Sequence, residues 1–217
     1  MTFEEVGNSL LKEYREYHMD RIFRLLEHKR KNYRRVILAN GEKRIKFNPF
    51  SYTYQTTEMF ILPFSEGKKD FKKYDISYYV FARFFYRGQY WYAKFNCTTD
   101  IVDIYNQHFF LRYIERHLKS DDMVGIDVVS KFIYDTEAVC LVKGIDSDKY
   151  ENCIYGSTSI GMCFGQGFGN INVWKTYIDK ETIEYGIKKK TFDIGAEMLK
   201  PVGLDKFGIK VYKGDVI

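Results

Sequence analysis

Metal and disulfide motifs are what this chain lacks first. Its four cysteines, Cys97, Cys140, Cys153 and Cys163, are scattered, with no CxxC pair. That spacing excludes a zinc pattern, and four thiols in 217 residues do not suggest a disulfide framework. They read as reduced thiols, which favours a cytoplasmic location. No HExxH pattern occurs either, so neither a metal nor a cofactor is expected. No apolar run approaches the ~20 residues that span a bilayer. The start, Met1 to Val6, carries Glu4 and Glu5 and has no apolar stretch, so it reads as no secretory signal. A membrane partner is not expected. Proline is scarce, with three residues, and no repeat or low-complexity linker divides the chain. Residues 1–217 read as one α+β domain, with 1–35 a helical arm.

Aromatic residues are what the chain has in excess: 19 Tyr and 18 Phe, with Trp an 18% share of the whole. Such side chains build cores, partner surfaces or platforms on which bases stack. The formal net charge is +5. That leans toward nucleic acid rather than acidic partners. Much of the basicity is local, as in Arg30, Lys31, Arg34 and Arg35, or Lys188 to Lys190. Each run by itself reads as a solvated face.

Thr2 and Glu5 have the spacing of a capping box. Phe3, Val6, Leu10, Tyr14, His18, Ile22 and Leu25 then recur three or four apart, which predicts a long amphipathic helix over about residues 3–30. His18 falls on its apolar stripe and reads as a structural histidine. Arg34 to Leu38 reads as a short strand closed by Asn40-Gly41, and 65–73 as a charged loop. The plainest hairpin has arms Ile76–Tyr86 and Tyr90–Asn96 around Arg87-Gly88-Gln89. Thr98 or Thr99 should cap a central helix that runs to about Lys119, with Asp100 and Asp103 in its first turn. A second apolar segment, about Met123 to Tyr134, reads as a helix capped from Ser120–Asp122. A late hairpin is expected over Ser157–Gly165 and Asn170–Ile178, with a helix after Asp179 and a short strand at Gly208–Tyr212. The fold class is therefore α+β: a long N-terminal helix and further helices packed on a mainly antiparallel sheet.

Within the central helix, His108, Arg112 and Arg116 recur at four-residue spacing and share one face. Phe109, Phe110, Tyr113, Ile114 and Leu118 fall on the other side. A proton-transfer group beside two permanent cations suits phosphodiester chemistry. Lys175 and Thr176 on the late hairpin are the candidates to complete it, with Ser157, Thr158 and Ser159 beside them. These stretches, His108 to Arg116 and Trp174 to Ile178, resemble the barnase–EndoU–colicin–RelE group of metal-independent ribonucleases. The resemblance spans about residues 98–185. It implies cleavage through 2′-OH attack, with His108 as general acid or base and Arg112, Arg116, Lys175 and Thr176 around the phosphorane. It also implies RNA as partner and a toxin-like role, with a protein antitoxin as a further partner.

A second reading belongs to a different class. The aromatic hairpin, with Arg83, Arg87 and Lys94 among its rings, and the basic first helix would bind nucleic acid or a protein without catalysis. Arg83, Arg87, Lys94 and Trp174 are then the substrate-binding candidates. The RNP signature of an RNA-recognition module is absent. Geometry separates the two readings, because the enzyme needs His108 and Lys175 or Thr176 around one phosphate.

Overall fold

A computed structural model describes residues 1–96, 99–119, 125–136, 140–143 and 151–183. The fold is α+β, with a long N-terminal helix, further helices and mainly antiparallel strands. The chain divides into two compact units. The first holds Met1–Ile104 with Gly169–Ile171, and the second holds Tyr105–Phe168 and the described residues from Asn172 on.

The first unit opens with α1, Phe3–Glu13, a π turn at Tyr14–His18, and α2, Met19–Asn40. The capping box forms as its spacing predicts: Glu5 N donates to Thr2 Oγ1 at 3.2 Å, and Thr2 N donates to Glu5 Oε2 at 2.7 Å. The helix does not stop near residue 30, and Arg34 to Leu38 is not a strand. Ile37 lies eleven residues, or about three turns, past Leu26, and so returns to the packed stripe. It is fully buried there, with Ile22 and Leu26. Burial of that one side chain outweighs the strand preference of the β-branched pair Val36-Ile37. The helix ends at Gly41, whose φ of 68° suits glycine, while Asn40 Nδ2 donates to Val36 O at 2.8 Å.

His18 is structural, as its place on the stripe predicts. It is 1% exposed. The π turn closes over five residues rather than four, which brings Glu13 and His18 together. His18 Nε2 lies 3.2 Å from Glu13 Oε1, and Nδ1 lies 2.9 Å from the Tyr52 hydroxyl. Both ring nitrogens of a buried imidazole are thereby satisfied.

The strands of this unit are β1, Ile45–Lys46; β2, Phe50–Tyr54; β3, Thr57–Ser65; β4, Ser77–Tyr86; β5, Gln89–Phe95; and β6, which begins at Val102 and runs to Asn106. Strands β1 and β2 both pair with β3, and β3, β4 and β5 follow in antiparallel order. The stretch read as a charged loop contains a short helix, α3, Lys68–Tyr74. The β4–β5 hairpin is tighter than its sequence suggests. Gln89 pairs with Tyr86, so Arg87-Gly88 alone make the turn. Their φ values of 49° and 77° give a turn whose twist matches the flanking strands. One face of the hairpin carries Phe84, Tyr86, Trp91 and Phe95 and takes the helix. There Phe3 meets Trp91 edge-on at 4.7 Å, and Tyr14 stacks on Phe95 at 4.6 Å. The other face carries Phe81, Arg83, Phe85, Tyr90, Tyr92 and Lys94.

The expected cap of the central helix moves by seven or eight residues. Val102 and Ile104 are fully buried with half-exposed Asp103 between them, so this segment alternates as a strand does. The helix is capped by Asn106, whose Oδ1 accepts from Phe109 N at 2.6 Å.

The second unit contains that helix as α4, Gln107–Tyr113, continued by a π turn at Ile114–Leu118. Helix α5, Ile126–Asp135, follows. The strands are β7, Cys140–Lys143; β8, Cys153–Ser157; β9, Gly161–Phe168; and β10, Ile171–Asp179, in the order β10-β9-β8-β7. The late hairpin is built differently from its reading. Ser157 ends β8, and Thr158 holds a turn by accepting from Gly161 N and donating to Gly161 O, each at 2.9 Å. The following arm begins only at Gly161, and its turn closes on Gly169-Asn170. Asp179 caps a helical turn as expected, accepting from Thr182 N at 3.1 Å. The cap at Ser120–Asp122 and the strand at Gly208–Tyr212 lie outside the described residues. Among the described residues, no helix is long and apolar enough to cross a membrane.

Candidate functional site

The ribonuclease candidates all lie in the second unit, where Phe109, Phe110 and Tyr113 are the buried side of α4. Ile114 and Leu118, expected with them, are half-buried. His108 is exposed and Arg112 half-exposed on the opposite side. The four-residue spacing does bring these two together: Arg112 Nε donates to His108 Nε2 at 3.3 Å. Arg112 Nη1 donates to Glu115 Oε2 at 2.8 Å. In the neutral imidazole this leaves the proton on Nδ1.

Arg116 departs from that line. The π turn begins at Ile114 and needs five residues to close, so Arg116 falls short of the position above Arg112. Its Nη1 donates instead to Tyr177 O on β10, at 2.6 Å. On β10 itself, Lys175 and Thr176 are successive residues and lie on opposite faces of the sheet. Lys175 shares its face with Tyr177, whose ring packs on Phe109 and Tyr113 of α4. Lys175 is exposed, and its ammonium donates to Gln166 on β9. Thr176 is half-buried on the other face with Trp174, which is 1% exposed. Trp174 is therefore a core ring and offers no face to a base. The hydroxyls of this region hold turns. Thr158 does so as described, and Ser159 Oγ donates to Asp135 O at 2.9 Å.

The neighbouring buried groups are phenols. Tyr113 donates to Asp135 Oδ2 at 3.0 Å, and Lys131 donates to the same oxygen at 2.6 Å. Burial first, and then the Asp135 carboxylate, hold the Tyr113 phenol well above its ordinary range. Among the described residues, no group of three or more His, Cys, Asp or Glu side chains is arranged to hold a metal ion.

The other candidates lie on the β4–β5 hairpin of the first unit. Arg83 pairs with Glu58 across the strands at 2.8 Å, and its guanidinium sits 4.9 Å from the centre of the Tyr90 ring. Lys94 is near Asp103 at 3.9 Å. Arg87, in the turn, lies over the rings of Tyr86 and Phe3 at 5.1 and 5.5 Å. Phe85 and Tyr90 face each other in register, edge to face at 5.4 Å. They are 63% and 47% exposed. Sequence reading treats the whole hairpin as an aromatic surface and does not single out this pair. The signal is available: odd positions on β4 share one face, and 85 and 90 are the last pair on that face before the turn.

Comparison with protein-family models, with curated proteins and with solved structures gives no match. Function therefore rests on the side chains themselves.

Proposed function

We propose that this protein is a non-catalytic nucleic-acid-binding module whose β4–β5 hairpin stacks on unpaired bases. The carrying observation is the Phe85–Tyr90 pair. Other large rings on the hairpin, such as Phe81, Phe84, Trp91 and Tyr92, are buried. An adjacent pair of rings left in water makes no contribution to the core and forms a small apolar patch. Arg83 over Tyr90 and Arg87 in the turn place cations beside it, as a strand with one phosphate per base requires. Bases stacked within a duplex do not present their faces, so the fitting partner is single-stranded.

The test is fluorescence anisotropy with single-stranded RNA, single-stranded DNA and a duplex of equal length. Stacking on an aromatic side chain contributes about 1–3 kcal/mol per base. The double variant Phe85→Ala/Tyr90→Ala should therefore weaken single-strand binding about ten- to a hundredfold and leave duplex binding as it was. Equal single-strand affinity in the variant would sink this reading.

A ribonuclease reading draws on one contact, Arg112 with His108 on the exposed side of α4. It carries with it the toxin-like role and the likeness to metal-independent ribonucleases. Incubation with total RNA in EDTA tests it. On that reading His108→Ala slows cleavage by about 10²–10⁴-fold without unfolding the chain. Intact RNA after incubation with the wild-type protein would end it.

A further inference from the structure

We infer that the outer face of α2 is a second contact surface, a ridge that binds the phosphate backbone of nucleic acid. It takes from the hairpin reading only the class of partner. Its residues are Arg24, His28, Lys31 and Arg35, all exposed. Their spacing of four, three and four residues keeps them on one side of a helix. At about 100° per residue, that side lies opposite Ile22, Leu26 and Ile37, which are buried. The line exists only because the helix continues to Asn40. Over eleven residues it extends about 16 Å, at 1.5 Å per residue.

What marks this face is its lack of counter-charge. Several exposed or half-exposed cations elsewhere are held by a carboxylate: Arg15 by Asp100, Arg30 by Asp75 and Glu27, Arg83 by Glu58, Arg112 by Glu115, and Lys131 by Asp135. Arg24, Lys31 and Arg35 form no ion pair with a described residue. Glu27, the nearest acid beside them, is engaged by Arg30 at 3.5 Å. Asp20 stands one turn before the ridge begins. Three positive charges in a rigid line repel one another, and a linear polyanion relieves that repulsion. Two of the three are Arg, whose planar fork fits phosphate oxygens.

An anionic membrane is the competing partner, and the helix is poorly built for it. A membrane-surface helix inserts its apolar side into lipid. Here that side is spent on the core of the first unit. The exposed apolar side chains of α2 are Met19, Phe23, Val36 and Leu38; at about 100° per residue they are spread round the helix and form no single stripe to insert.

Salt dependence reads the ridge directly. Each phosphate neutralised contributes about −0.7 to −0.9 to the slope of log K against log salt. The variant Arg24→Gln/Lys31→Gln/Arg35→Gln should flatten the slope for a single-stranded RNA oligonucleotide by about 2 to 3. The control Lys119→Gln/Lys131→Gln/Lys180→Gln removes the same net charge elsewhere and should leave the slope unchanged. All six positions are exposed. Should the ridge variant still melt early, Arg35→Gln alone should flatten the slope by about 0.7–0.9. Equal flattening in variant and control would overturn the ridge. So would loss of binding to phosphatidylserine vesicles with RNA binding intact. If the ridge variant flattens the slope while Phe85→Ala/Tyr90→Ala keeps full single-strand affinity, the hairpin reading falls and the ridge stands. The opposite pattern removes the ridge and leaves the hairpin. No binding to any oligonucleotide at low salt removes both.

Discussion

Phe132→Ala should destabilise the protein by about 3–5 kcal/mol. Phe132 is fully buried at the centre of an aromatic cluster in the second unit. Its ring has Phe109 at 5.1 Å, Tyr113 at 5.2 Å, Tyr105 at 5.8 Å, Phe110 at 5.9 Å and Tyr177 at 6.2 Å. All five contacts are edge-to-face, the arrangement that adds about 0.5–1.5 kcal/mol per pair to simple burial. Removing the ring also leaves a gap walled by large planar groups. Those groups relax poorly into a hole, which puts the cost toward the upper end of the range for such truncations. Phe132→Leu should recover much of the loss, because it restores volume without restoring the ring contacts. Urea melts of the three proteins give the comparison. A loss below about 1 kcal/mol for the alanine variant would mean that the cluster closes over the gap.

The same cluster shows what could be read from the chain. The apolar period of α4 is plain in the sequence, and Phe109, Phe110 and Tyr113 are buried as the spacing requires. The capping box at Thr2, the β4–β5 hairpin and the buried His18 are legible for the same reason, because local spacing and chemistry decide them. Three kinds of feature are not. Helix ends depend on distant packing: Arg34 to Leu38 looks like a strand until Ile37 is placed on the same buried stripe as Leu26. The start of α4 depends on whether Val102 to Asn106 has strands to join, which no local pattern reveals. A π turn adds a residue without any sequence mark, so Arg112 and Arg116, equivalent on a regular helix, end on different partners. The candidate site suffers most from this. A four-residue repeat locates His108 and Arg112 correctly but places Arg116 on a line it does not follow. The alternation along β10, by contrast, is legible in the sequence and sets Lys175 and Thr176 on opposite faces. The α2 ridge was legible only in part: the first helix reads as basic, but half of the ridge residues lie beyond its expected boundary.

Stability should fall steeply as the pH rises past the ordinary tyrosine pKa near 10. Tyr52 is pushed up to about 12, by burial first, with Arg21 over its ring pulling down and Glu13 pushing up. Burial also raises Tyr33, Tyr92 and Tyr155. Tyr113 and Tyr177 are raised further, again by burial first. Asp135 adds to the first, and Cys163, Asp179 and Asp135 add to the second. A phenol whose folded pKa is raised keeps its proton in the folded chain at a pH where the unfolded chain releases it. Above about pH 10 the unfolded state therefore binds fewer protons, and unfolding becomes easier as the pH climbs. The contribution is fully present below pH 10 and, for Tyr52, is lost through about pH 12. One pKa unit corresponds to 1.36 kcal/mol. Tyr52 is partly exposed, so solvent screening reduces its share to about 1–2 kcal/mol. Tyr113 and Tyr177 together add more, because their phenols hold protons to higher pH still. The sum is a sizeable part of the roughly 5–15 kcal/mol that keeps a domain folded. Urea melts from neutral to strongly alkaline pH, read beside phenolate absorbance, check this. The raised phenolates should appear together with unfolding, not before it. Tyr52→Phe should flatten the alkaline part of the curve while weakening the fold at neutral pH, where it removes the hydroxyl that meets His18 Nδ1. Phenolates that all titrate near the ordinary value in a chain that stays folded would show that these rings reach water, and the prediction would fail.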